Sequence, residues 1–147
     1  MVINLDISNK SLLYTPDWLV SFEKDVAGAI VLNDEPGILI RDYRVRYGMS
    51  QEEFGELMGL CRESISRIEN GGVQPTFEFV KKFIKTIAMI EAIRVERAQH
   101  KEIDVYFLDN LAKELRFSRE KLTLLLKIAV ESYDKKLIKI QKSLKGE

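Results

Sequence analysis

One cysteine, one histidine, one tryptophan and three prolines are all that the 147 residues hold of those types. The single cysteine, Cys61, excludes a disulfide framework within the chain and a zinc ribbon alike. No apolar run approaches the roughly 20 residues of a membrane span. The opening, MVINLDISNK, lacks a basic stretch followed by an apolar one. No signal peptide is therefore expected, and the cytoplasm is the expected compartment. Net charge is missing too, because 23 basic side chains balance 23 acidic ones. With 46% hydrophobic and 31% charged residues, the chain has the composition of a globular protein. It is long enough to build a core in one or two small domains. There is no nucleophile–base pair, no glycine loop able to cradle a phosphate and no paired-carboxylate pattern. An enzyme is not expected, nor a cofactor, nor a metal.

Glycine and proline are absent from Thr76 to Lys145, so that half of the chain reads as helix with few breaks. Thr76 caps the first of these helices. Phe79, Val80, Phe83, Ile84, Ile87, Ile90 and Ile93 carry its apolar face, and it is expected to continue to about Lys101. Asp104 and Ser118 are the only good later caps, which predicts two further helices over about 105–116 and 119–145. Upstream, Thr15-Pro16-Asp17 predicts a helix start, with Trp18, Phe22, Val26 and Ile30 as its buried stripe and an end near Asn33. Residues 1–13 read equally as a strand-like arm or as disorder. Pro36 and Gly37 mark a boundary. The next helix spans about Ile38 to Tyr47, turns Leu39, Ile40, Tyr43 and Tyr47 inward, and stops at Gly48.

The densest pattern is SQEEFGELMGLCRESISRIENG, Ser50 to Gly71. Ser50 is an N-cap and Glu53 stands three residues on, which makes a capping box; Met49 and Phe54 are placed as its hydrophobic staple. Phe54, Leu57 and Met58 give the helix one apolar face. Gly55, inside it, points to a close approach by another segment, since Gly in a helix costs about 1 kcal/mol against Ala. Gly59 is a left-handed stop, Leu60 is expected to return to the core, and a second helix runs from Arg62 to Glu69 with Ile65 and Ile68 inward. Asn70-Gly71 closes it.

Two short helices joined by such a turn form a helix-turn-helix. The stretch resembles the DNA-binding domain of the lambda-repressor/Cro (XRE) family of transcription regulators. The matching residues are Ser50-Gln51-Glu52-Glu53, Gly55, Gly59, Leu60, Ile65, Ile68 and the closing Arg67-Ile68-Glu69-Asn70-Gly71. The likeness extends back over Ile38 to Gly48 and forward over Pro75 to about Ile87, about a third of the chain. The run AGAIVLNDEPG, 27–37, is similar to the segment ahead of the motif in some archaeal regulators. The resemblance implies a lambda-repressor-like helix-turn-helix domain over 36–87; with the caps and apolar spacing on either side, the expected fold is all-α, with an N-terminal arm and helix over 1–35 and a C-terminal helical dimerisation region over 88–147. It also implies a shielded ion pair between Arg44 and Glu69.

A recognition helix reads bases in the major groove with its first turn and with residues one turn on. Arg62, Glu63, Ser64, Ser66 and Arg67 occupy those positions. Arg can grip guanine O6/N7 and Glu can accept from cytosine N4. The other reading of this face is a solvated one, with a Glu63–Arg67 pair at i,i+4. Gln51 and Ser50 stand at a helix N-terminus that can hold a phosphate. Asn70 and the loop through Gly72 and Gln74 resemble the family's other backbone contacts. Arg41 and Arg46 either reach phosphate or are solvated. Cys61 stands at the N-cap of the recognition helix, where a thiol beside Arg62 should be more acidic than a free one; it reads as a redox switch or simply as a small cap.

Charge is unevenly spread. Residues 36–75 hold five basic and six acidic side chains, a net of −1, and residues 119–147 hold eight and four, a net of +4. General attraction for phosphate is therefore modest in the helix-turn-helix itself. Two features remain. His100 lies four residues from both Glu96 and Asp104, a set read as a solvated face rather than a metal site. DNLAKELRFSREKLTLLL, 109–126, echoes the first motif, with Arg116 in place of the turn glycine and Leu124 in place of Arg67; it reads as a second helix-turn-helix or as a helical hairpin used for pairing. The last helix carries Leu122, Leu126, Ala129, Tyr133, Lys136 or Leu137, Ile140 and Leu144 as a coiled-coil-like seam with lysines outside; the other reading is packing within the chain. The expected function is sequence-specific binding of double-stranded DNA at an inverted repeat, by a homodimer, with no membrane association. The alternative is an antitoxin-like or coactivator-like module whose C-terminal helices bind a partner protein.

Overall fold

The structure, a computed structural model, describes residues 16–99 and 105–146. The expectation for residues 1–13, the cap at Thr15, and the His100 and Asp104 part of the acidic cluster lie outside the described residues. All regular structure among the described residues is helical: α1 (Asp17–Leu32), α2 (Pro36–Arg46), α3 (Gln51–Met58), α4 (Arg62–Glu69), α5 (Phe77–Ala98), α6 (Val105–Leu115) and α7 (Arg119–Leu144). The chain is thus all-α, and no helix among the described residues is long and apolar enough to cross a membrane.

Local chemistry sets the helix starts. At α3 the Glu53 N–H donates to Ser50 Oγ and the Ser50 N–H to Glu53 Oε1, each at 3.0 Å, which satisfies two of the donors that a helix N-terminus leaves open. Thr76 Oγ1 accepts from the Phe79 N–H at 3.0 Å and Ser118 Oγ from the Lys121 N–H at 3.2 Å. Gly59 ends α3 at φ 73°. Cys61, by contrast, makes no side-chain cap bond to α4.

The axis of the molecule is α5. Ile87, Ala88, Met89 and Ile90 are successive residues and all fully buried, a pattern that requires neighbours on every side. Those neighbours are α1, α3, α6 and α7. Phe83 of α5 meets Phe54 of α3 edge-on with ring centres 5.7 Å apart, and Phe54 meets Phe79 at 6.2 Å. The helix crosses residue 87 without a break, and the apolar cluster around it runs from Leu19 to Ala129.

Three packing details differ from the sequence reading. In α1 the buried residues are Leu19, Val26 and Ile30, while Trp18 is 40% exposed. Strict steps of four drift by about 40° each around a 3.6-residue helix, so a stripe that lies on the core face at Val26 and Ile30 has turned off it at Trp18. Leu60 is 38% exposed rather than returned to the core. The first half of the α7 seam is spent inside the chain: Ala129 is buried and Leu122 and Leu126 pack half-buried against the common core, while Leu125 and Ile128, outside that seam, are buried in it.

The α6–α7 turn reproduces the α3–α4 turn. Leu60 N–H donates to the Gly55 carbonyl at 2.9 Å, and Phe117 N–H to the Ala112 carbonyl at 2.8 Å. Arg116, at φ 55°, takes the left-handed conformation that Gly59 takes in the first turn, at a cost of about 1–2 kcal/mol for a residue with a Cβ. The first half of the helix after this second turn is a core element rather than a presented one, since α7 runs beside α5 from Leu125 to the Arg97–Asp134 contact, with Leu125, Ile128 and Ala129 buried.

Helices α2 and α4 are joined at their polar ends. Arg44 Nε donates to Glu69 Oε2 at 2.7 Å and Arg44 Nη2 to Glu69 Oε1 at 2.9 Å. Arg44 Nη1 reaches the Met49 carbonyl at 2.9 Å, and Gln51 Nε2 reaches Glu69 Oε1 at 3.1 Å. The two charged side chains are 11% and 1% exposed. Beside them α2 starts so close to the end of α4 that a methyl group at Gly37 would strike the Ile68 carbonyl oxygen and stand 3.0 Å from that of Glu69.

Two outcomes are expected in denaturant titrations. Arg44→Ala or Glu69→Ala alone should cost about 3–5 kcal/mol, because the survivor is left buried and uncompensated. The double variant should fall well short of the sum, and additive losses would show that the two groups do not act as a pair. Gly37→Ala should cost about 1–3 kcal/mol by overpacking; an unchanged midpoint would mean that the α2–α4 approach is looser than described.

Candidate nucleic-acid interface

Helix α4 sits on the surface with two faces of opposite character. Ile65, Ile68 and Glu69 are buried, whereas Arg62, Glu63 and Arg67 are exposed and Ser64 and Ser66 half-buried. The five residues expected to read bases therefore share the outward side, and the inward side anchors the helix to α2 through the Arg44–Glu69 pair. No Glu63–Arg67 ion pair forms among the described residues. Arg62 instead lies 3.8 Å from Glu52 at the start of α3, with both side chains well exposed. Such a contact is worth little in water and does not commit either group.

The first turn of α4 is polarised. The free backbone N–H of Glu63 itself, and next the Cys61 thiol, hold the Glu63 carboxyl below its ordinary range. The Cys61 thiol is also held low, first by the Ser64 hydroxyl 3.2 Å away and then by the Ser64 N–H. The cause is the Ser64 contact rather than Arg62. Glu63 accordingly stays an acceptor wherever DNA chemistry is relevant.

The residues expected at phosphates form two groups. At the start of α3, the Ser50 hydroxyl is engaged as the cap acceptor and Gln51 shares its amide with Glu69. On the other side of α4, Arg41, Asn70 and Gln74 line one cleft of about 480 Å³, together with Glu69 and the acidic Asp34 and Glu35. Asn70 Nδ2 donates to Ser66 Oγ at 3.3 Å, and the Gly72 N–H closes the end of α4 on the Arg67 carbonyl at 2.9 Å. The open ends of α3 and α4, the arginines of α4 and the 70–74 loop thus surround a single exposed helix.

One residue escaped the sequence reading. Lys82 of α5 donates to the Met58 carbonyl, the free C-terminal end of α3, at 3.3 Å, and lies 6.0 Å from the Phe117 ring. Burial, and then Lys121 beside it, holds its ammonium below the usual lysine range. It fastens the helix-turn-helix to α5 and to the second turn at once. No spacing in the sequence marks it, because its partners are more than twenty residues away on either side.

Residues 40–89 match the helix-turn-helix family, so the match spans α3 and α4, most of α2 and the first half of α5. Over 50 residues the chain is 34% identical to the uncharacterized HTH-type transcriptional regulator YgzD of Bacillus subtilis, which covers 34% of this chain and 76% of that one. Over 57 residues it is 37% identical to an uncharacterized HTH-type transcriptional regulator of Archaeoglobus fulgidus, covering 39% of this chain and 76% of that one. No solved structure matches the chain significantly. An exposed, arginine-bearing second helix on a capped first one, and these relatives, place the chain in the XRE family of helix-turn-helix DNA-binding transcriptional regulators.

Proposed function

We propose that this regulator is sequence-specific and dimeric, and that it lays α4 in the major groove of double-stranded DNA. The observation that carries the reading is the two-faced α4, with Arg62, Glu63 and Arg67 outward and Ile65, Ile68 and Glu69 buried. In this arrangement Arg62, Glu63, Ser64, Ser66 and Arg67 meet base edges. Ser50 and Gln51 at the start of α3, and Arg41, Asn70 and Gln74 across the groove, meet the backbone. Residues 36–87 act as the DNA-binding unit, and residues 88–147 bring two such units together.

Pairing is assigned to the end of α7. Every residue from Lys135 to Gly146 is exposed, yet the helix persists to Leu144. A helical segment of this length has little stability without packing. Leu137, Ile140 and Leu144 recur at the three-four spacing of a coiled-coil seam and are 40%, 46% and 82% exposed. A second copy presenting the same stripe covers them symmetrically. Two helix-turn-helix units on one dimer then engage half-sites about 34 Å apart, or a multiple of that, as an inverted repeat. The second contact forms at high effective concentration, which offsets the modest phosphate attraction of a unit that is nearly neutral, with a net charge of −1 over residues 36–75 and +1 over 36–87.

Selection from random duplexes should return an inverted repeat. Arg62→Ala and Arg67→Ala should each lose about 1–3 kcal/mol at a particular base pair and relax the preference there, whereas Gln51→Ala should weaken all sequences alike. Losses without any change of preference would mean that α4 does not read bases. In sedimentation the full chain should be a dimer and a chain ending at Asp134 a monomer. Equal dimerisation of both would place the interface elsewhere, and co-purification of a stoichiometric foreign protein would favour a partner-binding role for the C-terminal helices.

A further inference from the structure

The end of α2, the middle of α5 and the second half of α7 enclose a cleft of about 510 Å³ on which the helix-turn-helix reading makes no demand. Its charged lining is Arg46, Arg94, Lys135, Lys136 and Lys139 against a single carboxylate, Glu91. That carboxylate is already committed. Tyr47 Oη donates to Glu91 Oε1 at 2.7 Å, and Arg94 Nε lies 3.9 Å from the same oxygen. Burial, and next the Glu91 charge, push the Tyr47 phenol up, so it remains a donor at any physiological pH. Arg94 is nine-tenths buried, donates from Nη1 to Ser132 Oγ at 3.2 Å, and lies 5.3 Å from the centre of the Tyr47 ring.

The remaining four cations are not neutralised. Arg46 stacks on the Tyr43 ring at 4.6 Å and forms no ion pair among the described residues. Lys135, Lys136 and Lys139 are exposed and likewise form none. Like charges gathered on one concave surface repel one another, and walls of low dielectric strengthen the field that they share. Counting 3.6 residues per turn, Lys135 and Lys139 stand a third to a half of a turn around α7 from the Leu137–Ile140–Leu144 stripe, and Lys136 stands at its edge, about 40° from Ile140. A partner on that stripe leaves the Lys135 and Lys139 side of the cleft open.

We propose that this cleft binds the phosphate groups of a polyanion, with Arg46, Lys135, Lys136 and Lys139 as the charged contacts and Arg94 as the rigid floor. Two sources share that chemistry. One is the DNA backbone flanking the operator: the cleft wall includes Gly48, two residues ahead of the Ser50 cap of α3. Only that source rests on the reading given under Proposed function. The other is a free small molecule bearing several phosphates, for which the cleft volume is ample.

Three proteins separate the outcomes: the natural chain, K135Q/K136Q/K139Q, and K127Q/K142Q/K145Q, which removes the same charge from exposed positions on α7 and just after it, outside the cleft. All six lysines are exposed, and matching thermal melts would establish that each variant folds. Titrating tripolyphosphate into each at low salt should show one site per chain in the natural protein and the control, and at least tenfold weaker binding in the cleft variant. Binding of a random-sequence duplex is then measured against salt. A slope smaller by up to about three in the cleft variant alone identifies DNA phosphates as the occupant. An unchanged slope with lost tripolyphosphate binding identifies a free anion. Equal tripolyphosphate affinity in both variants together with equal salt slopes, or no tripolyphosphate binding and an unchanged slope, overturns the proposal. Both tripolyphosphate outcomes can be read even if α4 reads no bases.

Discussion

The bidentate contact between Arg44 and Glu69 is the constraint on which the rest of the DNA-binding unit depends. A guanidinium and a carboxylate at 11% and 1% exposure would each be costly alone. Together they satisfy one another, and the spare donor and acceptor capacity goes to the Met49 carbonyl and the Gln51 amide. The contact therefore touches α2, α4 and both residues that flank the cap of α3. It fixes the roll of α4 about its own axis, because Glu69 can reach Arg44 only with Ile65 and Ile68 facing inward. That roll turns Arg62 and Arg67 to the outside. A purely apolar seam would hold the helices together as firmly but would tolerate rotation more readily, since burial is non-directional.

A second constraint is the length of α5. At 22 residues it is long enough to serve the helix-turn-helix with its first half and α6 and α7 with its second. The two halves of the chain consequently share one apolar cluster. Lys82 reinforces the join from the polar side, bridging the end of α3 and the ring of Phe117. The repeated turn geometry at Gly59 and Arg116 shows how the same local device can serve two ends: after one turn the next helix is presented, after the other it is buried. The difference lies in the helices themselves. The one after Gly59 has 8 residues and carries Arg67 on its outer side, and the one after Arg116 has 26 and carries Leu124 at the corresponding position.

Charge placement completes this division of labour. The helix-turn-helix carries arginines on the exposed side of α4 but no basic field around it, while the basic residues are concentrated at 119–147. On α7 they fall on two sides of an apolar stripe. The helix can therefore offer an apolar face to one neighbour and a cationic face to another without either covering the other.

Short-range features were legible from the sequence alone. The Ser50–Glu53 box, the caps at Thr76 and Ser118, the left-handed stop at Gly59 and the two closely spaced helices depend on residues within a turn or two of each other. Residue type and spacing specify them almost completely. The pairing of Arg44 with Glu69 was legible too, but only through the family likeness, since nothing local links positions 25 residues apart. The tertiary structure decided what spacing cannot express. It chose Leu19 over Trp18 for the core, left Leu60 in solvent, and spent the first half of the α7 stripe on α5. It also gathered Arg46, Arg94 and three α7 lysines from distant parts of the chain into one cleft. The physical reason is the same in each case: helix formation is governed by neighbours along the chain, whereas burial and long-range charge depend on the angle at which finished helices cross.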